Sequence, residues 1–284
     1  MGSYRDGNRS YLVNITLVPG FNPGSYTGAG NNTYLIQTET GDGVALIDAG
    51  TGDQRHVRAV LKSLSQKTLD RVLITHGHSD HITGVSALLS EWPSVEFLKM
   101  PWSASDERYP VDWKPLTEGD EVVVGSDVLK VLHTPGHSPD HLCFYCENEG
   151  VLFCGDLLVK GSTVVIPANH GGNLVQYLAS LRRIRDLNPS RVLPAHGGEI
   201  DDVVGLIGQY LEHRRRRDDE ILAALRKAGG TAKSSDVVAV VYEGLGDDLK
   251  QAACETVLAH LDKLETEGRV CKRPDQDVDL WECK

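Results

Sequence analysis

Thr75-His76-Gly77-His78-Ser79-Asp80-His81-Ile82-Thr83-Gly84 is the stretch whose reading decides the fold of this 284-residue chain. It follows a short apolar run, Arg71 to Thr75, and opens a helix predicted over Ile82 to Leu89, so it sits where a strand gives way to a helix. Four metal-capable side chains fall within six positions. His76 and His78 alternate and so point the same way from an extended backbone, whereas Asp80 and His81 swing to a second position as the chain turns into the helix. Three more apolar runs each end in a possible ligand: Val131-Leu132-His133-Thr134-Pro135-Gly136-His137, Val151-Leu152-Phe153-Cys154-Gly155-Asp156 and Val192-Leu193-Pro194-Ala195-His196. Chance does not keep placing His or Asp just past a strand.

Upstream of the histidine stretch, Tyr11 to Val18, Thr33 to Gln37 and Val44 to Asp48 read as a meander of strands, the last two parted by the turn Glu39 to Gly43. Asp53 to Ser65 is helical by the spacing of Val57, Val60, Leu61 and Leu64. Downstream come a hairpin over Val122 to His133, another from Leu142 to Cys146 with Val151 to Cys154, a helix over Asn173 to Leu187 and a strand at Arg191 to Pro194. Residues 1–200 thus read as one domain of sheets flanked by helices, residues 201–230 as a long linking helix, and residues 231–284 as a separate unit. Within that unit a helix over Asp236 to Tyr242, a turn, a helix over Asp247 to Glu267 and a terminal strand around Leu280-Trp281 draw a winged-helix outline.

The pattern His-x-His-x-Asp-His, followed by isolated His, Asp and His on successive strand ends, resembles the metallo-β-lactamase-fold hydrolase superfamily. The resemblance implies an α/β fold, an αββα sandwich with a dinuclear metal site between the sheets, joined here to a small C-terminal winged-helix-like α+β domain. Carried over by motif position, His76, His78 and His137 would bind the first metal, Asp80, His81 and His196 the second, and Asp156 would bridge them. Leu46-Ile47-Asp48-Ala49-Gly50 matches an earlier family motif and makes Asp48 the residue that would orient a ligand without touching metal. Five imidazoles and two carboxylates with no thiolate suit zinc, iron or manganese, and two Zn2+ are the first expectation. Such a pair would use a bridging hydroxide as nucleophile, with Asp80 the proton-shuttle candidate.

Phe21-Asn22-Pro23-Gly24, then Gly30-Asn31-Asn32-Thr33-Tyr34-Leu35-Ile36, Tyr210-x-x-His213-Arg214 and the tail Leu261-x-x-Leu264-Glu265-x-Glu267-Gly268-Arg269-Val270 resemble the lactamase-beta-two group, with Asn31 in place of its first Thr. That group's activities imply two substrate classes, thioesters and single-stranded RNA, with β-lactam or lactone hydrolysis as a further alternative. Relatives in the superfamily that destroy β-lactams often carry Cys or Ser where Asp156 stands, and flavodiiron enzymes carry Glu at the place of His78. His78 therefore favours hydrolysis over an iron-dependent redox enzyme. A binding module with purely structural metals is disfavoured, since structural zinc is normally closed with four ligands.

Around this core, His133 and His141 flank His137 and are expected to support it, and Asn32, His170, His213 and Arg214 are the substrate-binding candidates. Arg214 to Arg217 cannot form one flat phosphate grip, because successive helical residues turn by about 100°. His56 and His260 fall on predicted helices and are expected to be solvated, and Cys143 and Cys146 to face opposite sides of a strand as small buried hydrophobes. A net charge of −11 argues against extended nucleic-acid binding. Residues 234–284 hold six Lys and Arg against twelve Asp and Glu, so no DNA is expected there, and the tail should wall the cleft or mediate homodimerisation. A small-molecule or short anionic substrate fits best, with RNA left open. Six dilute cysteines, no leader-like N-terminus and no long apolar run lead to an expectation of a cytoplasmic protein with no membrane association.

Overall fold

A computed structural model of the chain describes residues 13–38, 43–275 and 278–284. Six strands form the first sheet in chain order: β1 (Val13–Pro19), β2 (Asn32–Thr38), β3 (Ala45–Ile47), β4 (Arg71–Leu73), β5 (Glu96–Lys99) and β6 (Trp113–Pro115). The first three pair antiparallel and the rest parallel. A second sheet orders β7 (Glu121–Val124), β8 (Asp127–His133), β9 (Leu142–Cys146), β10 (Val151–Gly155) and β11 (Arg191–Pro194), antiparallel except for the last pair.

The period-2 alternation of each strand sorts its side chains into layers. From β2, Tyr34 and Ile36 face the second sheet and meet Phe144, Val151 and Phe153. Leu35 faces the other way, onto α1 (Gln54–Leu64) and α3 (Val85–Glu91), with Val57, Val60, Leu64, Val85 and Leu88. On the far side of the second sheet, Leu152, Cys154 and Val192 pack against α5 (Leu174–Leu187) and α6 (Val203–Lys227) through Leu178, Leu181, Ile207 and Tyr210. Helices therefore cover both outer faces of two stacked sheets. Cys143 belongs to the outer layer and Cys146 to the inter-sheet layer, opposite faces of one strand, and burial pushes their thiols up to about 12 and about 11.

Local chemistry sets the helix limits. Asp53, Asn173 and Asp202 each accept a backbone N–H from the first turn of α1, α5 and α6. The helix expected over Ile82 to Leu89 is two pieces, α2 (Ser79–Ile82) and α3, broken at Thr83-Gly84. A Cβ at Gly84 would lie 2.0 Å from Ala49 O, so the chain must pass residue 49 as bare backbone. Strands β5 and β6 escaped the sequence reading because Glu96-Phe97-Leu98-Lys99 and Trp113-Lys114-Pro115 contain no β-branched residue, whereas β4 and β11 carry Val72 and Val192. The short α4 (Ser103–Asp106) escaped because Ser103-Ala104-Ser105-Asp106 carries too little helical period to register. Tyr11 and Leu12 of the first expected strand, and residues 39–42 of the turn after β2, lie outside the described residues.

The C-terminal part comprises β12 (Thr231–Lys233), α7 (Ser234–Val241), α8 (Lys250–Thr266), β13 (Val270–Asp275) and β14 (Val278–Cys283). Its three strands order β12-β14-β13. Ile221, Leu222 and Leu225 of α6 enter the same core as Val237, Val257, Leu261 and Trp281, so one helix serves both cores. Contrary to expectation, the helix positions of His56 and His260 do not face solvent. His56 and His260 are fully buried, because each helix turns that position toward its core: His56 Nε2 lies 2.9 Å from Thr33 Oγ1, and His260 Nδ1 lies 2.6 Å from Asp218 Oδ1. Burial pushes both imidazoles down to about 4. No helix among the described residues is long and apolar enough to cross a membrane.

Candidate metal centre

β3 and β4 run parallel, as do β10 and β11, so what leaves their C-terminal ends emerges on one side of each sheet. Asp48 follows β3, residues 75–81 follow β4, Asp156 follows β10 and His196 follows β11, while the loop from β8 to β9 carries His137. Seven side chains predicted from sequence meet there as three overlapping groups: His76, His78 and His137; His76, His81 and Asp156; Asp80, His81 and His196. Within each group the ligand atoms lie within 4.8 Å of one another.

The spacing suits a cation. A tetrahedral ion with bonds of about 2.1 Å sets its ligands about 3.4 Å apart. His81 Nε2 stands 3.5 Å from both Asp80 Oδ2 and Asp156 Oδ1, and His196 Nε2 stands 3.4 and 3.3 Å from the same two oxygens. The other oxygen of Asp156, Oδ2, is 3.4 Å from His137 Nε2, so this carboxylate faces both halves of the site. His81 Nε2 and Asp156 Oδ1 are buried and make no hydrogen bond, a costly arrangement unless an ion completes it. In the three-histidine half, His137 spends its Nδ1 proton on Val165 O at 2.8 Å, so its Nε2 arrives as a lone pair, 2.8 Å from His78 Nδ1. That nitrogen is in turn 2.9 Å from His76 Nε2. A proton on His78 Nδ1 could serve only one of these two neighbours, whereas a cation would take a lone pair from all three rings, so this donor set fits a metal.

Supporting contacts fix how each ring presents itself. Asp48 accepts from Thr75 N–H at 2.8 Å and from Thr75 Oγ–H, and its Oδ2 lies 2.7 Å from His81 Nδ1, which leaves His81 Nε2 for the site. Asp48 itself has φ +65°, a left-handed conformation that Asp tolerates better than most residues. His141 accepts the Asp156 N–H at 3.1 Å through Nε2 and meets Thr134 Oγ1 through Nδ1, so it braces the Asp156 backbone. His133 does not reach the centre; its Nε2 bonds Pro139 O at 2.8 Å and closes the base of the loop that carries His137.

Electrostatics divides the site. Burial, helped by neighbouring imidazoles, holds His76 well below its usual range and His78 at about 3; burial also lowers His137. These rings are neutral, the state that ligates. Around His81 and His196 burial works in the same direction but is outweighed. Asp80, Asp156 and Asp48 raise His81, and Asp156 leads in holding His196 up at about 9. Burial opposes ionisation of Asp80 and Asp156 as well, yet His81 and His196 keep both well below the usual carboxylate range. The carboxylate half is built to hold positive charge.

Not every substrate-binding candidate faces this centre. Asn32 donates to Pro194 O at 3.1 Å and Gly197 O at 2.8 Å, which pins the His196 loop and takes its amide out of the cleft. Arg214 is buried, with its guanidinium on Val164 O and over the Tyr177 ring, and so offers no surface grip for substrate, because its position on α6 faces the core. His213 is half-buried on α6. His170 is exposed on a short turn at 168–170, 3.9 Å from Glu255 Oε1 of α8. Sequence reading passed over Asn31, which is buried and donates to Asp80 Oδ2 at 3.1 Å while its own Oδ1 accepts from Asn22 Nδ2 at 2.6 Å. Adjacent asparagines on a strand point opposite ways, and nothing in the sequence says which one turns inward. Glu255 was likewise missed; it accepts from Asn169 N–H at 2.8 Å and Asn169 Nδ2 at 2.9 Å, tying α8 to the 168–170 turn.

Among known proteins, a family model described as the metallo-beta-lactamase superfamily matches residues 26–196, and one described as the beta-lactamase associated winged helix domain matches residues 234–281. A beta-lactamase-like protein 2 homolog of Drosophila melanogaster is 34% identical, covering 94% of each chain. An atrochrysone carboxyl ACP thioesterase of Aspergillus novofumigatus is 31% identical over 90% of this chain and 80% of its own. The crystal structure of a beta-lactamase domain protein from Burkholderia ambifaria has a TM-score of 0.82 and 23% identity, over 98% of this chain and 93% of that one, a likeness of fold.

Proposed function

This chain belongs to the metallo-beta-lactamase superfamily, and on that premise we propose that it is a dinuclear metal hydrolase whose substrates are thioesters or small esters. The observation that carries the reading is the position of Asp156, with one oxygen toward His81 and His196 and the other toward His137. His76, His78 and His137 would hold one metal, Asp80, His81 and His196 the other, and Asp156 both. Zinc is the first choice for this nitrogen-rich donor set. Divalent metal there supplies Lewis acidity toward an acyl oxygen and brings the acidity of water near neutral pH.

The chain's own residues do the rest. Asp48 and Val165 O set the tautomers of His81 and His137, so that Nε2 of each faces the reaction centre. Asp80, kept ionised beside His81 and His196, would present its carboxylate to the second metal, and Asn31 fixes its Oδ2. His141 holds the Asp156 backbone in place.

Acyl substrates are favoured over RNA for two reasons. Three of the four arginines in the basic run on α6 are already engaged: Arg214 is buried, Arg215 pairs with Glu212 and Asp219, and Arg217 pairs with Glu220 and stacks on Tyr242. A relative 31% identical over 90% of this chain is named a thioesterase. The test is a panel of thioester, lactone, β-lactam and single-stranded RNA, run with parent and with a His76→Ala, Asp156→Ala double variant verified as folded by circular dichroism. Thioester turnover by the parent, abolished in the variant, is expected. RNA cleavage without thioester turnover would replace the substrate assignment, and equal rates in both proteins would end the hydrolase reading.

A further inference from the structure

We propose that Arg214, together with Tyr210, is a positioning residue for the metal centre, reaching His137 through the strap of chain from Leu157 to Val165. The inference rests on the reading of His137 as a metal ligand. The strap begins next to Asp156 and has no helix or strand of its own. Side chains from two helices hold it instead. Tyr177 of α5 donates to Leu157 O at 2.8 Å; Tyr210 of α6 donates to Val159 O at 2.9 Å and accepts Val159 N–H at 3.0 Å; Arg214 Nη2 donates to Val164 O. The next carbonyl along, Val165 O, accepts from His137 Nδ1 at 2.8 Å. Consecutive peptide planes share one Cα, so fixing the Val164 carbonyl restrains the Val165 carbonyl, and with it the tautomer and tilt of the His137 ring.

Arg214 is a poor choice if its only task is to fill space. It is buried, 2% exposed, and its Nε has no hydrogen-bond partner. Burying a charge with an unsatisfied donor is costly, and an apolar side chain of similar length in such a place is often neutral or stabilising. What an apolar side chain cannot do is grip a carbonyl. Since α6 also carries Ile221, Leu222 and Leu225 into the C-terminal core, the grip ties the metal centre to the helix that enters that domain.

The two roles separate in the full-length protein with Arg214→Met, which keeps the volume and loses the donor, and Arg214→Lys, which restores a donor. Two readouts are needed: zinc per chain after dialysis against graded chelator, and the urea midpoint of the metal-free protein. Arg214→Met is expected to keep or raise the midpoint while releasing one of two zinc ions at about 10–100-fold lower chelator; Arg214→Lys is expected to recover part of that loss. Unchanged zinc release in Arg214→Met overturns the inference, as does loss of both ions in proportion to a fallen midpoint. Should Arg214→Met fail to fold, Tyr210→Phe, which keeps the ring and loses both contacts to Val159, decides: earlier release of one ion at an unchanged midpoint supports the inference, and release like the parent's overturns it. A parent that binds no zinc is a distinct result, which refutes the ligand reading and the inference with it.

Discussion

His81 is held by Asp48: Nδ1 of the ring lies 2.7 Å from the carboxylate, and the opposite nitrogen points between Asp80 and Asp156 at 3.5 Å from each. A buried acid that never faces the reaction centre thereby decides which nitrogen does. Asp48→Asn keeps the size and the tolerance for φ +65° but weakens the acceptor facing His81. Metal affinity should fall by about 10–100-fold with circular dichroism unchanged, as read by chelator competition. Release indistinguishable from the parent's would show that Asp48 serves only the fold.

Gly84 makes the turn between α2 and α3 against residue 49, where an added Cβ would lie 2.0 Å from Ala49 O. Gly84→Ala is expected to lower stability by about 1–3 kcal/mol, the range for forced overpacking, measured as a lower urea midpoint. A midpoint equal to the parent's would mean that the α2–α3 break is not sterically imposed.

Most of this architecture is legible in the sequence, and the exceptions have physical causes. The convergence of the seven candidate ligands could be anticipated because each stands just past an apolar run, and strand ends are where chemistry-bearing residues gather in such sheets. The layered packing follows from alternation in runs such as Leu142 to Cys146. Inward orientation on helices was not legible: His56, Arg214 and His260 are polar residues on amphipathic helices, and sequence assigns them to solvent by default, whereas each is buried. Contacts between segments far apart in sequence were also out of reach. Asn31 on Asp80 and Glu255 on Asn169 depend on tertiary approach, which no local period encodes.

The buried histidines make stability depend on pH. Burial puts His56 at about 4 in the folded protein, against 6.5 for an unhindered imidazole. The unfolded chain therefore binds more protons between those values, and stability is full above pH 6.5 and lost as pH falls toward 4. For this one residue the gap amounts to roughly 3 kcal/mol. Metal-free His56→Gln should show a shallower loss of urea midpoint from pH 7 to pH 4.5 than the metal-free parent does. Parallel curves for the two proteins would contradict it.

Glu255 takes two hydrogen bonds from Asn169 and is itself buried. Glu255→Ala leaves the backbone donor of residue 169 without its acceptor, at an expected loss of about 1–3 kcal/mol. Hydrogen exchange at 168–170 should quicken, since α8 no longer holds that turn. Unaltered exchange and an unaltered urea midpoint would show that the C-terminal domain merely rests against the catalytic one.

On this reading, hydrolysis depends on two metals held by the seven convergent side chains. Titrating metal-free protein with Zn2+ while following thioester hydrolysis decides it. Activity absent without metal, rising to a plateau at two equivalents per chain, and lost in Asp156→Ala is the predicted result. Thioester hydrolysis that survives complete metal removal, or that never appears however much metal is added, would contradict it.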